Sequence, residues 1–186
     1  MPAKDDLLNL IVTETNRYAR QFRNTAQGTL KRFSSFRRLA DTTNSEMKAI
    51  IAIVMKMGLN QRPLLQSYWS RNDSQHISWF PRFMSYNRFT LLLKCFSIMN
   101  RHNLVPHGQP GYDPTARFKP HVDHCNQLFK RFYTPKQNLS VDESFIGTKN
   151  KTKLLQYMMH KNIVTNGGIK LWMCVPATGY VLSFTV

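Results

Sequence analysis

The stretch Leu139-Ser-Val-Asp-Glu-Ser-Phe-Ile146 decides the fold. Leu139, Val141, Glu143 and Phe145 alternate with Ser140, Asp142, Ser144 and Ile146, and a period of two predicts a strand. Downstream, Ile169, Leu171, Met173 and Val175 alternate again. Ala177-Thr-Gly179 then reads as a turn, and Tyr180, Leu182, Phe184 and Val186 alternate a third time. The basic segment from Gly147 to Lys161 reads as a connection. One strand, a long connection and a hairpin is the expected order.

Upstream of Leu139 the period is helical. Leu7, Leu8, Ile11, Tyr18 and Phe22 fall on one stripe. Thr43-Asn-Ser-Glu46 has the form of a capping box ahead of an apolar run from Met47, with Gly58 suited to the helix end. Pro63 is placed to open a short helical turn through Tyr68-Trp69. Ser85 is placed to cap a helix that turns Phe89, Leu92, Leu93, Phe96 and Met99 to a core. Residues 101–116 hold three prolines and two glycines and read as a loop. A last helix from Pro120 to Tyr133 is expected to bury Val122, Leu128, Phe129 and Phe132. The fold class is therefore α+β, with a helical region over 1–136 and a strand region over 137–186.

With 42% hydrophobic residues the composition is globular. The longest apolar run, Ala49 to Met55, is too short to cross a bilayer, so no membrane partner is expected. The start MPAKDDLLNL has acids where a secretion signal carries a basic block, so an intracellular location is expected. Cys95, Cys125 and Cys174 form no C-x-x-C pair, which argues against a zinc site or a disulfide framework.

There are 26 Lys+Arg against 10 Asp+Glu, a formal charge of +16. Such an excess suits a polyanion, because neutralising phosphates releases condensed counterions. Lys149, Lys151, Lys153, Lys161 and Lys170 crowd the strand region, and Arg37 and Arg38, with Lys31 and Arg32, form a second patch. These are candidate DNA-backbone contacts, the alternative being solvated basic connections. Trp69, Trp79 and Trp172 read as core or half-buried residues rather than stacking platforms, and His121 and His124 as a polar helix face.

The acids are few. After Glu46 come Asp73, Asp113, Asp123, Asp142 and Glu143, and no carboxylate side chain follows Glu143. A mid-strand carboxylate such as Asp142 runs against propensity. It reads either as a solvent-facing Asp or as a ligand for two-metal phosphoryl transfer, in which acids on rigid strands hold Mg²⁺. Neighbouring strand residues point to opposite faces, so Glu143 is assigned a structural or supporting role.

The segment Tyr133-Thr-Pro135 with Leu139-Ser-Val-Asp142-Glu143-Ser144 resembles the "YTP…LSIDES" block of piggyBac transposases and their domesticated relatives. The similarity extends to Gln156-Tyr157-Met158, Lys161, Gly168-Ile-Lys-Leu-Trp172 and Thr178-Gly-Tyr-Val181. Upstream, Thr15-Asn-Arg-Tyr-Ala19 is similar to "TNRYA", and Met57-Gly-Leu59, Pro63 and Tyr68-Trp-Ser70 to "MGL…P…YWS". Met84-Ser85, Arg88-Phe89 and Phe96 are similar to "MSRDRF…F".

The resemblance implies that 1–136 corresponds to the family's dimerisation and DNA-binding region. It implies that 137–186 is the opening, with the first three strands, of an RNase H-like domain. Asp142 would be the first of three catalytic, metal-binding aspartates, Mg²⁺ the cofactor, transposon ends cut and joined at TTAA the substrate, and the nucleus the location. Partners would be DNA and a dimer mate among transposase relatives. Two departures are plain: Lys149 to Lys153 stand where the family has Gly-Arg, and Tyr157-Met-Met-His-Lys161-Asn lacks both prolines of "YMPxKP". The second and third aspartates and the cysteine-rich zinc domain would lie beyond Val186, so Asp142 is expected to be vestigial, with Mg²⁺ weakly bound or absent. The strand part is expected to be marginal alone, with an unpaired edge. Three functions stay open: a transposase-derived protein that binds DNA without cutting it, part of an active Mg²⁺-dependent transposase, or an exapted interaction module.

Overall fold

The structure, a computed structural model, describes residues 6–26, 34–72, 76–148, 152–157 and 167–186. The chain divides into two compact units, Met1–Asn100 and Arg101–Val186. Strands follow helices, as the change of period at Leu139 implies.

The first unit is helical: α1 (Asp6–Thr25), α2 (Asn44–Leu59), the short α3 (Trp79–Phe83) and α4 (Tyr86–Cys95), with 3-10 turns at Ser35–Arg38 and Leu65–Trp69. Met47, Ile50, Ile53, Phe80, Phe89, Leu92 and Cys95 are buried in one core with Ile11 and Ala19 of α1. Leu93 is 44% exposed, and Leu91 and Cys95 turn inward beside Leu92 in the arc expected for Leu93. Polar fasteners join the helices to the loops. The Thr15 hydroxyl, fully buried, donates to the Ser97 carbonyl at 3.3 Å and accepts from the Ser97 N–H at 3.2 Å. The Asn16 amide donates to the Thr42 carbonyl at 2.9 Å and accepts from the Thr42 N–H at 2.7 Å. Each bond satisfies backbone that would otherwise be stranded at a helix flank.

The expected capping box forms around Thr43 and Glu46. The Thr43 hydroxyl accepts from the Glu46 N–H at 3.2 Å. The Glu46 carboxylate takes a backbone hydrogen bond from Thr43 and also accepts from the Arg88 Nε and Nη2 at 2.7 Å each and from the Thr42 hydroxyl at 2.8 Å. Arg88 also donates to the Ala40 carbonyl at 3.0 Å. This bidentate pair ties α2, α4 and the chain between α1 and α2 with charge-assisted bonds. The Trp69 Nε1 donates to the Met84 carbonyl at 2.7 Å, and its ring packs on Phe80, Tyr86 and Phe89.

The second unit holds α5 (Lys119–Phe132) and a four-stranded antiparallel sheet: β1 (Leu139–Gly147), β2 (Leu155–Tyr157), β3 (Gly167–Pro176) and β4 (Ser183–Thr185). Strand β3 pairs with β1 over nine positions, from Leu139↔Pro176 to Gly147↔Gly168. The short β2 and β4 pair with the other edge of β3. Strand β2 lies in the segment read as a connection: three residues are too few to show a period. The turn at Ala177-Thr178 forms, with Gly179 at a φ of +80° closing on the Pro176 carbonyl at 2.9 Å.

Opposed residues share a face in an antiparallel pair. Ser140, Asp142, Ser144 and Ile146 therefore lie on the face of Val175, Met173, Leu171 and Ile169. Helix α5 packs on this side, where Val122 and Phe129 join Ile146, Leu171 and Phe184 around an apolar cavity of about 480 Å³. The other face carries Leu139, Val141 and Trp172, exposed by 48%, 67% and 44%. Phe132, expected in the core, is 68% exposed at the end of α5. The Asn126 side chain fastens α5 to β4, with two 2.9 Å bonds to the Phe184 N–H and carbonyl.

The Glu46 carboxyl is held below its ordinary value of 4.5, first by the hydrogen bonds from Arg88 and against the opposing effect of burial. A depressed carboxyl pKa contributes stability above the unfolded value and loses it as pH falls through the folded one. Glu46→Gln is thus expected to lower stability near neutral pH by roughly 1–2 kcal/mol in urea unfolding, with the gap to the parent closing as pH drops below 4.5. Gly168→Ala is expected to lower the second unit's stability by about 1–3 kcal/mol. A Cβ there would stand 2.4 Å from the Phe145 ring and 2.5 Å from the Ile146 carbonyl oxygen, a backbone atom no rotamer change can move. Amide exchange across β1 and β3 reads this effect.

Candidate functional site

Nine paired positions hold β1 straight against β3, and Asp142 sits at the fourth. Its carboxylate is exposed on the face that α5 shares, opposite Met173. Ser140 and Ser144 flank it two residues away on either side, and together with Met173 and Val175 they line an open cleft of about 430 Å³. Asp142 Oδ1 accepts from the Glu143 N–H at 2.7 Å.

Glu143 turns to the other face, as strand alternation requires. Its Oε1 accepts from the Lys170 Nζ at 2.5 Å, and that ammonium stands 4.3 Å from the centre of the Trp172 ring. Lys170 is thus held between a carboxylate and an aromatic face, on the side of the sheet away from Asp142.

Among the described residues no three His, Cys, Asp or Glu side chains gather where they could share a metal ion. Asp113 is engaged locally: it accepts from the Thr115 N–H and hydroxyl at 2.7 Å each, and those bonds hold its carboxyl below the usual range. His121 approaches Cys125 at 3.7 Å across one turn of α5, and burial pushes the Cys125 thiol up. Among the described residues the donors around Asp142 are one carboxylate and two hydroxyls, which do not by themselves fit a two-metal Mg²⁺ centre, since that draws several carboxylates onto hard cations.

Of the sequence-predicted cations, Lys153 and Lys170 belong to the second unit and Arg37 to the first. Lys153 is exposed, with its Nζ 5.6 Å from the centre of the Tyr112 ring. Arg37 is exposed on the 3-10 turn of the first unit. The Arg38 backbone belongs to the same turn, but its side chain lies outside what is described, as do Lys149, Lys151, Lys161 and Asp73 entirely.

Residues 3–186 match the family described as Transposase IS4. The chain belongs to this transposase family. A solved structure, the cryo-EM piggyBac transposase synaptic complex with hairpin DNA, contains a chain of the same fold, with a TM-score of 0.79 at 20% identity. The match covers 98% of the present chain and 36% of that one, so the chain spans about a third of the transposase it resembles. The family and the α+β fold expected from the motifs are both borne out.

One feature of this transposase-family chain was not legible in the motifs. Arg101, Arg117 and Lys153 line a cleft of about 700 Å³ together with Tyr112 and His107. The sole sequence signal was the pair of arginines bracketing a loop rich in proline and glycine.

Lys170→Met is expected to lower the second unit's stability by about 1 kcal/mol, because it removes a half-buried ion pair and a cation–π contact together. Urea unfolding measures the loss, and faster amide exchange at Glu143 and Trp172 localises it.

Proposed function

We propose that this transposase-family chain binds DNA through its phosphate backbone and does not cut it. The observation that carries the reading is that Asp142 is the one carboxylate among the described residues on its face of the sheet, its neighbour Glu143 being turned away and paired with Lys170. Phosphodiester hydrolysis by two metals requires several acids in one place, and Mg²⁺ keeps its waters against a single carboxylate. The excess of 26 Lys+Arg over 10 Asp+Glu supports a polyanionic partner. The piggyBac match, itself a complex with hairpin DNA, supports DNA as that partner.

The proposed backbone contacts are Arg37, Arg38, Lys149, Lys151, Lys153, Lys161 and Lys170. Lys170 contributes least among them, because Glu143 already neutralises it. A nuclear site of action and pairing with a transposase relative follow from the same reading. Among the described residues no helix is long and apolar enough to cross a membrane.

A second reading keeps Asp142 as a working metal ligand, with further acids supplied by a longer protein. It is supported by the coverage of 36% of the matched transposase chain. A transcript that continues in frame past the Val186 codon to further aspartates would favour it.

Binding to a transposon-end duplex is expected to weaken steeply with salt, and Lys153→Ala and Arg37→Ala are each expected to reduce the log–log slope by roughly 1. With Mg²⁺ or Mn²⁺ present, both strands are expected to stay intact. Specific nicks that vanish in Asp142→Ala would reject the proposal.

A further inference from the structure

We infer that the cleft beside Tyr112 seats one unpaired nucleotide of a single DNA strand. The inference rests on the reading that the chain binds DNA and names the form of DNA this cleft takes.

The cleft holds about 700 Å³, within the range of small-ligand sites and ample for one nucleotide. Its rim carries Arg101, Arg117 and Lys153 against a single acid, Asp113. That acid is already engaged by Thr115 and, at 4.0 Å, by the Lys119 ammonium, so the field at the rim is positive. Arg117 and Lys153 are exposed, and neither has a carboxylate partner among the described residues. The walls are apolar: Val105, Pro106, Leu154 and Ile169. Tyr112 stands among them, braced edge-on by His107 with the ring centres 5.0 Å apart.

Cations around apolar walls and an aromatic ring suit a ligand that is anionic at one end and flat and apolar at the other. A nucleotide has this form only when its base is out of the stack. A duplex keeps its bases inside and offers phosphates alone, which would leave the apolar walls bare. Single-strand sites combine a basic rim with aromatic stacking in this way. The Lys153 ammonium, 5.6 Å from the Tyr112 ring centre, occupies the place a stacked base would take. Its flexible four-carbon stem can yield that place and reach the nucleotide's phosphate instead.

The full chain is tested by fluorescence anisotropy at one salt concentration with a short oligo(dT), a duplex of equal length and free dTMP. Oligo(dT) is expected to bind more tightly than the duplex, and dTMP far more weakly than either. Tyr112→Ala is expected to weaken oligo(dT) binding about tenfold and duplex binding less than twofold, with Tyr112→Phe close to the parent. Should Tyr112→Ala fail to fold, Arg117→Ala and Lys153→Ala carry the test. Each is expected to weaken oligo(dT) binding severalfold more than Arg82→Ala, which removes an exposed cation from the first unit. Equal losses on both DNA forms, no preference for oligo(dT), or dTMP binding as tightly as oligo(dT) would overturn the inference while leaving backbone binding standing. Absence of binding to any DNA would reject both.

Discussion

The period of two along β1 is the constraint on which the chemistry of the second unit depends. Nine consecutive pairs with β3 leave no bulge in which a residue could change sides. Asp142 and Glu143, adjacent in sequence, are therefore separated by the thickness of the sheet. One carboxylate faces an open cleft between two serines, and the other is consumed by Lys170 and shielded by Trp172. Two acids side by side in the sequence thus amount to one acid at the site.

The residues through which the sequence resembles a transposase act in this structure largely as fasteners. Thr15 and Asn16 clamp the ends of distant loops through paired bonds to Ser97 and Thr42. Arg88 grips Glu46 and the Ala40 carbonyl. Tyr133 stacks on Tyr180 with ring centres 4.8 Å apart and meets the Thr178 hydroxyl at 3.1 Å, joining the end of α5 to the turn before β4. The Thr15, Asn16 and Glu46 bonds satisfy backbone or charge that would otherwise be wholly or partly buried alone, a loss that costs more than the bond itself returns. That explains why scattered short motifs carried the fold correctly: each names one end of a long-range tie.

Legibility in the sequence followed the length of the pattern. The nine-residue β1 and ten-residue β3 and the capped helices α2 and α4 were readable, because period and cap recur within each of them. The three-residue β2 was not, since its strand character comes from pairing with Gly167, Gly168 and Ile169. Which side of a segment is covered was also hidden. Leu93 and Phe132 are apolar and correctly spaced, yet both are largely exposed, because coverage depends on which neighbour arrives and not on the residue itself. Of the site, the position and orientation of Asp142 were legible from alternation. The cleft at Tyr112 was not, because Arg101, Arg117 and Lys153 converge only through the turns between them.

The two units bury their apolar side chains to different depths. The first encloses Met47, Ile53, Phe80, Phe89 and Cys95 almost completely, whereas among the described residues of the second the large hydrophobics that are buried are Leu171 and Leu182. A thin core concentrates stability in the β1–β3 ladder and in the ties of α5 to β4 and to the turn before it. Cations tolerate such a setting well, since long side chains keep their charge in water while their stems cover apolar surface. A metal centre does not, because it needs several carboxylates held rigidly against their mutual repulsion. A thinly cored surface can therefore carry dispersed cations where it could not hold a metal centre together. Affinity is spread over many independent positive charges, whereas cleavage depends on a few acids meeting at one point.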